Sequence, residues 1–289
     1  MKIIKKKSLG QNFLRDESVL DKIISAGELS PEDNVLEIGP GEGALTKKLL
    51  EKVGKVVAVE KDSRLEDADS VLQKLNKTGK NPASAGREPG VLPSNLIIYF
   101  EDILDVNFPK ILKENSFDKK GYKVIANIPY YITGKIIRLL FEQEIKPKLI
   151  VLLVQKEVAE RICALKGRES ILSLSVKYFA QPEIVDYVSR EVFEPVPKVD
   201  SAILKIRPFK LSEKKYLEDE NLEREFFRLV KIGFSSPRKV LINNLKNGLQ
   251  LDRSSLEQIF KKFQLSPTIR AEKLTLQQWQ SLAEAIKID

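Results

Sequence analysis

Apolar positions fall into two regimes along the chain. Up to about residue 206 they come in short consecutive runs: Val35 to Ile38, Val56 to Val59, Asn95 to Phe100, Val124 to Ala126, Lys148 to Val154 and Ala202 to Ile206. Runs of this length between turn residues predict buried strands. Ile171 to Phe179 reads as one more strand. Helical spacing predicts helices over Glu17 to Ala26, after Gly43, from about Thr133, and over Gln155 to Leu165, where Val158, Ala159, Ile162 and Cys163 share a face. A helix over about Leu65 to Leu75 leads into a loop to Ser94, rich in Gly and Pro. From Leu211 the strand pattern stops. Apolar residues recur at helical spacing in Leu222 to Ile232, Val240 to Leu245, Leu256 to Phe263 and Leu274 to Ile286, with breaks at Ser236-Pro237, Gly248 and Ser266-Pro267. The pattern predicts an α/β domain over residues 1–208 and a small all-helical domain over 209–289.

The first strand runs into Gly39-Pro-Gly-Glu-Gly43. Glycines let the backbone turn sharply and approach a ligand, and the helix behind them aims unpaired N–H groups at an anion. The second strand ends in Glu60; an acid there is where an α/β nucleotide fold holds ribose hydroxyls. A bare strand-to-helix turn is the plainer alternative. The spacing is not the dinucleotide G-x-G-x-x-G, and the shorter variant occurs in proteins that hold S-adenosylmethionine.

Three further stretches carry candidate chemistry. Glu101-Asp102 closes the third strand, where an acid would face the adenine of a bound nucleoside. Lys123 to Ala126 runs into Asn127-Ile128-Pro129-Tyr130, at the strand end where α/β ligands bind. Asn127 offers an acceptor, Pro129 a stiff turn and Tyr130 a π face for an amine-bearing planar base; plain turn chemistry is the alternative. Phe193, on the proline-stiffened loop Val192 to Ser201, makes either a second stacking surface or a buried anchor. Gln11 and Asn12 have amides that either meet a ligand or only join the chain's own hydrogen bonds.

Charge sharpens the picture. The 289 residues carry a net charge of +8 and no histidine. A basic balance suits a polyanionic partner, as do the N-terminal arm with Lys2, Lys5, Lys6, Lys7 and Arg15 and the cluster Lys231, Arg238, Lys239 and Lys246. The missing histidine removes imidazole acid–base catalysis and histidine metal sites, so catalysis must rest on positioning and fixed dipoles. Cys163, the single cysteine, fits a reducing, cytoplasmic setting. No run is long and apolar enough for a membrane helix or a signal peptide.

Gln11-Asn-Phe-Leu14, Glu37 to Gly43, Glu60, Glu101-Asp102, Asn127 to Tyr130, Gln155 to Arg161 and Phe193 to Ala202 together resemble the ribosomal RNA adenine dimethyltransferases, in the family's order and over most of residues 5–208. The resemblance implies a Rossmann-like methyltransferase domain followed by a helical RNA-binding domain. It implies methyl transfer from S-adenosylmethionine to N6 of two adjacent adenines in the 3′-terminal hairpin of small-subunit (16S) rRNA, on immature 30S subunits. A cytoplasmic monomer without metal or membrane is expected. Asn12, Leu14, Gly39, Gly41, Glu60, Asp102 and Asn127 would contact the cofactor. Asn127 and Ile128 would orient the target amine, with Pro129 fixing the turn, and Tyr130 and Phe193 would sandwich the base. Two departures are Ile128, where the family usually has Leu, and the longer polar loop between Glu60 and Asp102. Large-subunit resistance methyltransferases, DNA adenine methyltransferases and a non-enzymatic assembly factor are the rival readings.

Overall fold

The computed structural model describes residues 12–65, 95–210 and 219–286. The arm's lysines and Gln11, and the expected helix and loop between Leu65 and Ser94, lie outside these residues, whereas Arg15 of the arm lies within them and pairs with Glu42.

A short strand β1 (Phe13–Leu14) precedes helix α1 (Glu17–Ala26), whose start is fixed by Asp16: its carboxylate accepts from the N–H groups of Ser18 and Val19. Strand β2 (Asn34–Ile38), helix α2 (Ala44–Leu50), strand β3 (Lys55–Val59) and strand β4 (Leu96–Tyr99) follow. Helices α3 (Phe108–Glu114) and α4 (Phe117–Lys120) were not expected from the hydropathy pattern. Next come β5 (Lys123–Asn127), α5 (Thr133–Glu142), β6 (Leu149–Gln155) and α6 (Lys156–Cys163).

The segment Ile171–Phe179, expected as a strand, is a helix, α7. Its apolar residues alternate with Ser173, Ser175 and Lys177, which mimics a strand. A capping box decides otherwise: Ser170 Oγ accepts from the Ser173 N–H at 3.1 Å, and Ser173 Oγ accepts from the Ser170 N–H at 2.6 Å. Leu174 and Tyr178, four residues apart, then join one core. The strand follows instead, as β7 (Ala180–Val188), at the sheet edge where Pro182 is tolerated. The chain continues through β8 (Phe193–Glu194), β9 (Ser201–Pro208), α8 (Glu220–Gly233), α9 (Leu241–Leu249), α10 (Arg253–Lys262) and α11 (Leu276–Ala285).

Seven strands form one sheet in the order β4-β3-β2-β5-β6-β9-β7, and β1 pairs separately with β8. The ladders from β4 through β6 are parallel and β6–β9 is antiparallel, with Gln155 opposite Ser201. This is a Rossmann-like α/β arrangement, and the order reverses beside β2, where β5 lies on the other side from β3. The carboxyl ends of β2 and β5 thus flank a switch point, the usual place for a ligand. Leu20, Ile23, Leu49, Val35, Val56, Ile125 and Val151 are buried in one cluster that fixes these strands.

The chain divides into two compact units, Met1–Ala159 with Glu183–Pro208, and Glu160–Pro182 with Phe209–Asp289. The chain therefore passes between them at 159/160 and 182/183 as well as at 208/209, the single boundary expected from sequence. The second unit has its own core around Tyr178, Phe226, Leu245, Phe260 and Trp279. A Cβ on Gly233 would overlap the Trp279 ring, so only glycine lets α8 approach that indole. Buried Asn244 donates to the carbonyls of Gly233 at 2.6 Å and Ser236 at 3.1 Å, pinning the turn that carries exposed Arg238 and Lys239.

Candidate active site

The turn after β2 has the geometry only glycine adopts without strain: φ is +70° at Gly39, +54° at Gly41 and +78° at Gly43. Gly39 donates to the Val59 carbonyl at 2.9 Å, which ties the turn to the end of β3. Glu60, the next residue but 6% exposed, grips it from the same side. Its Oε2 accepts from the Gly41 N–H at 3.0 Å and its Oε1 from the Asp62 N–H at 2.8 Å. Burial pushes the Glu60 carboxyl above its ordinary value, and these two N–H groups pull it partly back.

The turn forms one wall of a cavity of about 310 Å³, a size suited to a small organic ligand. Asn12, Leu14, Gly39, Gly41, Glu60, Asp102, Asn127, Ile128, Pro129 and Tyr130 all line it. At the β5 side, Asn127 Nδ2 donates to the Asn12 carbonyl at 3.4 Å, which leaves Oδ1 as the side chain's acceptor. Ile128 is 2% exposed. Pro129 starts a tight turn into α5, closed by Thr133 Oγ1 donating to the Tyr130 carbonyl at 3.1 Å. Tyr130 is half-buried, and its hydroxyl lies 2.6 Å from Ser201 Oγ on β9. Burial raises the Tyr130 hydroxyl above its ordinary value, Ser201 offsets this, and Asp200 adds to it.

At the opposite side Asp102 accepts from the Leu104 N–H at 3.0 Å and pairs with Lys61 at 2.5 Å. Burial would raise its carboxyl, but those partners outweigh it and hold it below the ordinary carboxylate range. A carboxylate with Ile103 and Leu104 beside it suits a flat apolar ring bearing an amine.

Phe193 follows the buried-anchor alternative of its two readings. It is 3% exposed, pairs with Leu14 across the β1–β8 ladder, and belongs to the core cluster with Leu20 and Ile203; it does not line the cavity. Its ring is withdrawn by the short antiparallel ladder that anchors β1. The aromatic surfaces on the cavity wall are instead Phe13, Tyr130 and Tyr131. Phe13 covers the glycine turn closely: a Cβ on Gly41 would stand 3.1 Å from its ring.

Glu37 also faces the cavity, and the sequence reading gave it no role beyond the motif. It is 1% exposed, and its Oε2 meets no hydrogen-bond partner among the described residues. Burial pushes its carboxyl up to about 8, Thr46 draws it down and Glu60 pushes it further up. A hydrophobic strand position holding an acid was the available signal. Among the described residues no cluster of His, Cys, Asp or Glu could hold a metal ion.

The donor set is two carboxylates, an amide, a glycine turn that a Cβ would crowd, and an apolar slot. It fits S-adenosylmethionine, which presents ribose hydroxyls, an adenine amine and an ammonium.

Comparison with known proteins points the same way. The ribosomal RNA small subunit methyltransferase A of Caldanaerobacter subterraneus subsp. tengcongensis is 39% identical over 283 residues, covering 97% of each chain. A dimethyladenosine transferase crystal structure from Plasmodium falciparum has a TM-score of 0.73 at 30% identity, covering 93% of this chain and 95% of that one. The 23S rRNA methyltransferase ErmE has a TM-score of 0.69 at 26% identity, covering 96% of this chain and all of that one. The family model for ribosomal RNA adenine dimethylase matches residues 3–287, and with a match over nearly its whole length this chain belongs to that family.

Proposed function

We propose that this protein uses S-adenosylmethionine to dimethylate N6 of two adjacent adenines in the 3′-terminal hairpin of small-subunit rRNA, acting as a cytoplasmic monomer on immature 30S subunits. One observation carries the reading. The Asn127 to Tyr130 loop opens into the same cavity as the Gly39–Gly43 turn and Glu60. The small-subunit target follows the relatives' names, and the basic composition suits an RNA partner.

When bound, S-adenosylmethionine supplies an electrophilic methyl group. Glu60 would hold its ribose hydroxyls, and Asp102 the amine of its adenine. The target amine is a weak nucleophile because its lone pair is delocalised into the ring. Asn127 Oδ1 and the Ile128 carbonyl would accept hydrogen bonds from its N–H groups and turn the lone pair toward the methyl. Fixing two reactants this way supplies several kcal/mol of the barrier. Tyr130, restrained through Ser201, would stack on the extruded base and offset part of the cost of unstacking it, at about 1–3 kcal/mol per base. The displaced proton is acidic enough to pass to water, which agrees with a chain that has no histidine. The helical unit, with Lys231, Arg238, Lys239 and Lys246 exposed, would contact RNA phosphates.

The test is incubation of the protein and labelled cofactor with unmethylated small subunits and, separately, large subunits, with mapping of the modified nucleotides. Label on two adjacent small-subunit adenines is expected. Label only on large-subunit RNA would replace the target, and no label on either would refute the activity.

A further inference from the structure

Tyr131 is unlike the other rings on the cavity wall. It is 60% exposed, whereas the adjacent Tyr130 is half-buried and held by Ser201. A large ring left in water on a fixed turn contributes nothing to the core, and Tyr131 stands at the mouth of the cavity.

Two cations share that mouth. Lys61 and Lys135 both line the cavity and both are exposed. Lys61 pairs with Asp102 at 2.5 Å, and Tyr131 and Lys135 line the same cavity as this pair. Lys135 has no ion-pair partner among the described residues. A flat exposed ring with cations beside it, at the entrance to a base-sized pocket, is the composition that binds single-stranded nucleic acid.

We propose that Tyr131 is a second stacking surface, which takes the unpaired nucleotide flanking the target adenine while Lys61 and Lys135 receive the intervening phosphates. The inference rests on the RNA-adenine reading above. Extruding one adenine deprives its neighbours of a stacking partner as well as the adenine itself. Tyr130 serves the extruded base inside the cavity. Tyr131, one residue further and outside it, serves a neighbour left without a stack. A base on Tyr131 also keeps the strand from sliding, so the site determines which adenine enters.

The experiment is a double-mutant cycle between protein and RNA. Wild type and Tyr131→Ala, each saturated with S-adenosylhomocysteine, are titrated with a synthetic hairpin bearing the two adenines, intact or abasic at the 5′ or 3′ neighbour of the target. Tyr131→Ala should weaken binding about tenfold to a hundredfold. The abasic change at one neighbour should weaken wild type similarly, and the two together should cost little more than either. Single-turnover methylation of unmethylated small subunits provides the second readout. Tyr131→Ala should raise the half-saturating subunit concentration by a similar factor, and Tyr131→Phe should behave as wild type.

Additive losses, indifference to both abasic positions, or wild-type saturation by Tyr131→Ala would overturn the proposal. So would a loss of S-adenosylhomocysteine affinity in Tyr131→Ala, which would mean the ring covers the cofactor instead. Wild-type activity on small subunits separates these outcomes from failure of the underlying reading, since that failure would abolish methylation by the unaltered protein.

Discussion

Replacing Glu60 tests two roles that the geometry joins in one carboxylate. In Glu60→Ala the N–H groups of Gly41 and Asp62 lose their acceptor. Leaving the buried Asp62 N–H unpaired costs about 1–3 kcal/mol, whereas the part-buried Gly41 N–H lies at the cavity wall, so the fold should lose roughly 1–3 kcal/mol. For a domain of this size that corresponds to a fall of about 2–12 °C in Tm. Cofactor binding should suffer separately. A hydrogen bond to a charged group is worth about 1.5–3 kcal/mol, so loss of even one ribose contact weakens affinity at least about tenfold. Glu60→Gln divides the two effects. Its oxygen can still accept one N–H, while its amide faces the other N–H with a donor and offers the ribose no charge. Calorimetric titration with S-adenosylmethionine, run well below each variant's Tm, should rank affinity as wild type, then Gln, then Ala. RNA affinity should hold in all three, because phosphate contacts dominate it. An affinity for cofactor within about twofold of wild type in folded Glu60→Ala would refute the ribose role.

Other changes test separate parts of the account. The Glu37 carboxyl, ordinarily near 4.5, sits near 8 in the fold. Between those values the folded chain keeps a proton that the unfolded chain releases, so stability should fall as pH rises through the window, by at most ~1.4 kcal/mol per pH unit; Glu37→Gln should flatten the Tm-against-pH curve from pH 5 to 8, and a wild-type slope would exclude the buried acid as its cause. Gly233→Ala should lower Tm through collision with the Trp279 ring, by about 1–3 kcal/mol of overpacking, and chemical denaturation showing no change would mean the helix shifts freely. Tyr130→Phe and Ser201→Ala each break the same hydrogen bond while keeping the ring; single-turnover rates should fall by a few-fold in either and no further in the pair, and additive losses would show that Ser201 acts elsewhere.

How much of this was legible in the sequence depended on whether local chemistry or tertiary packing decided the outcome. The Val35 to Leu50 stretch was legible because three glycines in left-handed conformations leave no alternative to a tight turn. Glu60 followed from its place at a strand end. Ile171 to Phe179 misled because its alternation of apolar and polar residues imitates a strand, while the helix is set by Ser170 and Ser173 and by burial of Leu174 and Tyr178. The β7 strand was missed because Pro182 argues against a central strand, and only its place at the edge admits it. Helices α3 and α4 are too short, at seven and four residues, to show a periodic stripe. Phe193, open from sequence to either stacking or burial, and Tyr131, given no role there, are told apart only by the fold, because exposure is a property of the folded neighbourhood. The β1–β8 ladder buries the first, and the turn before α5 leaves the second in water.

The central claim is that Asn127 orients the attacking amine. The direct measurement is the single-turnover rate of Asn127→Ala on saturating unmethylated small subunits, at saturating cofactor so that any weakened hold on the methionine end is overcome. RNA affinity should persist, because Tyr130 and the basic surfaces remain. The rate should fall by about two orders of magnitude or more, since alignment and fixed electrostatics are the catalytic contributions available to this chain. A rate within about twofold of wild type would contradict the account and reduce the Asn127 to Tyr130 loop to a turn.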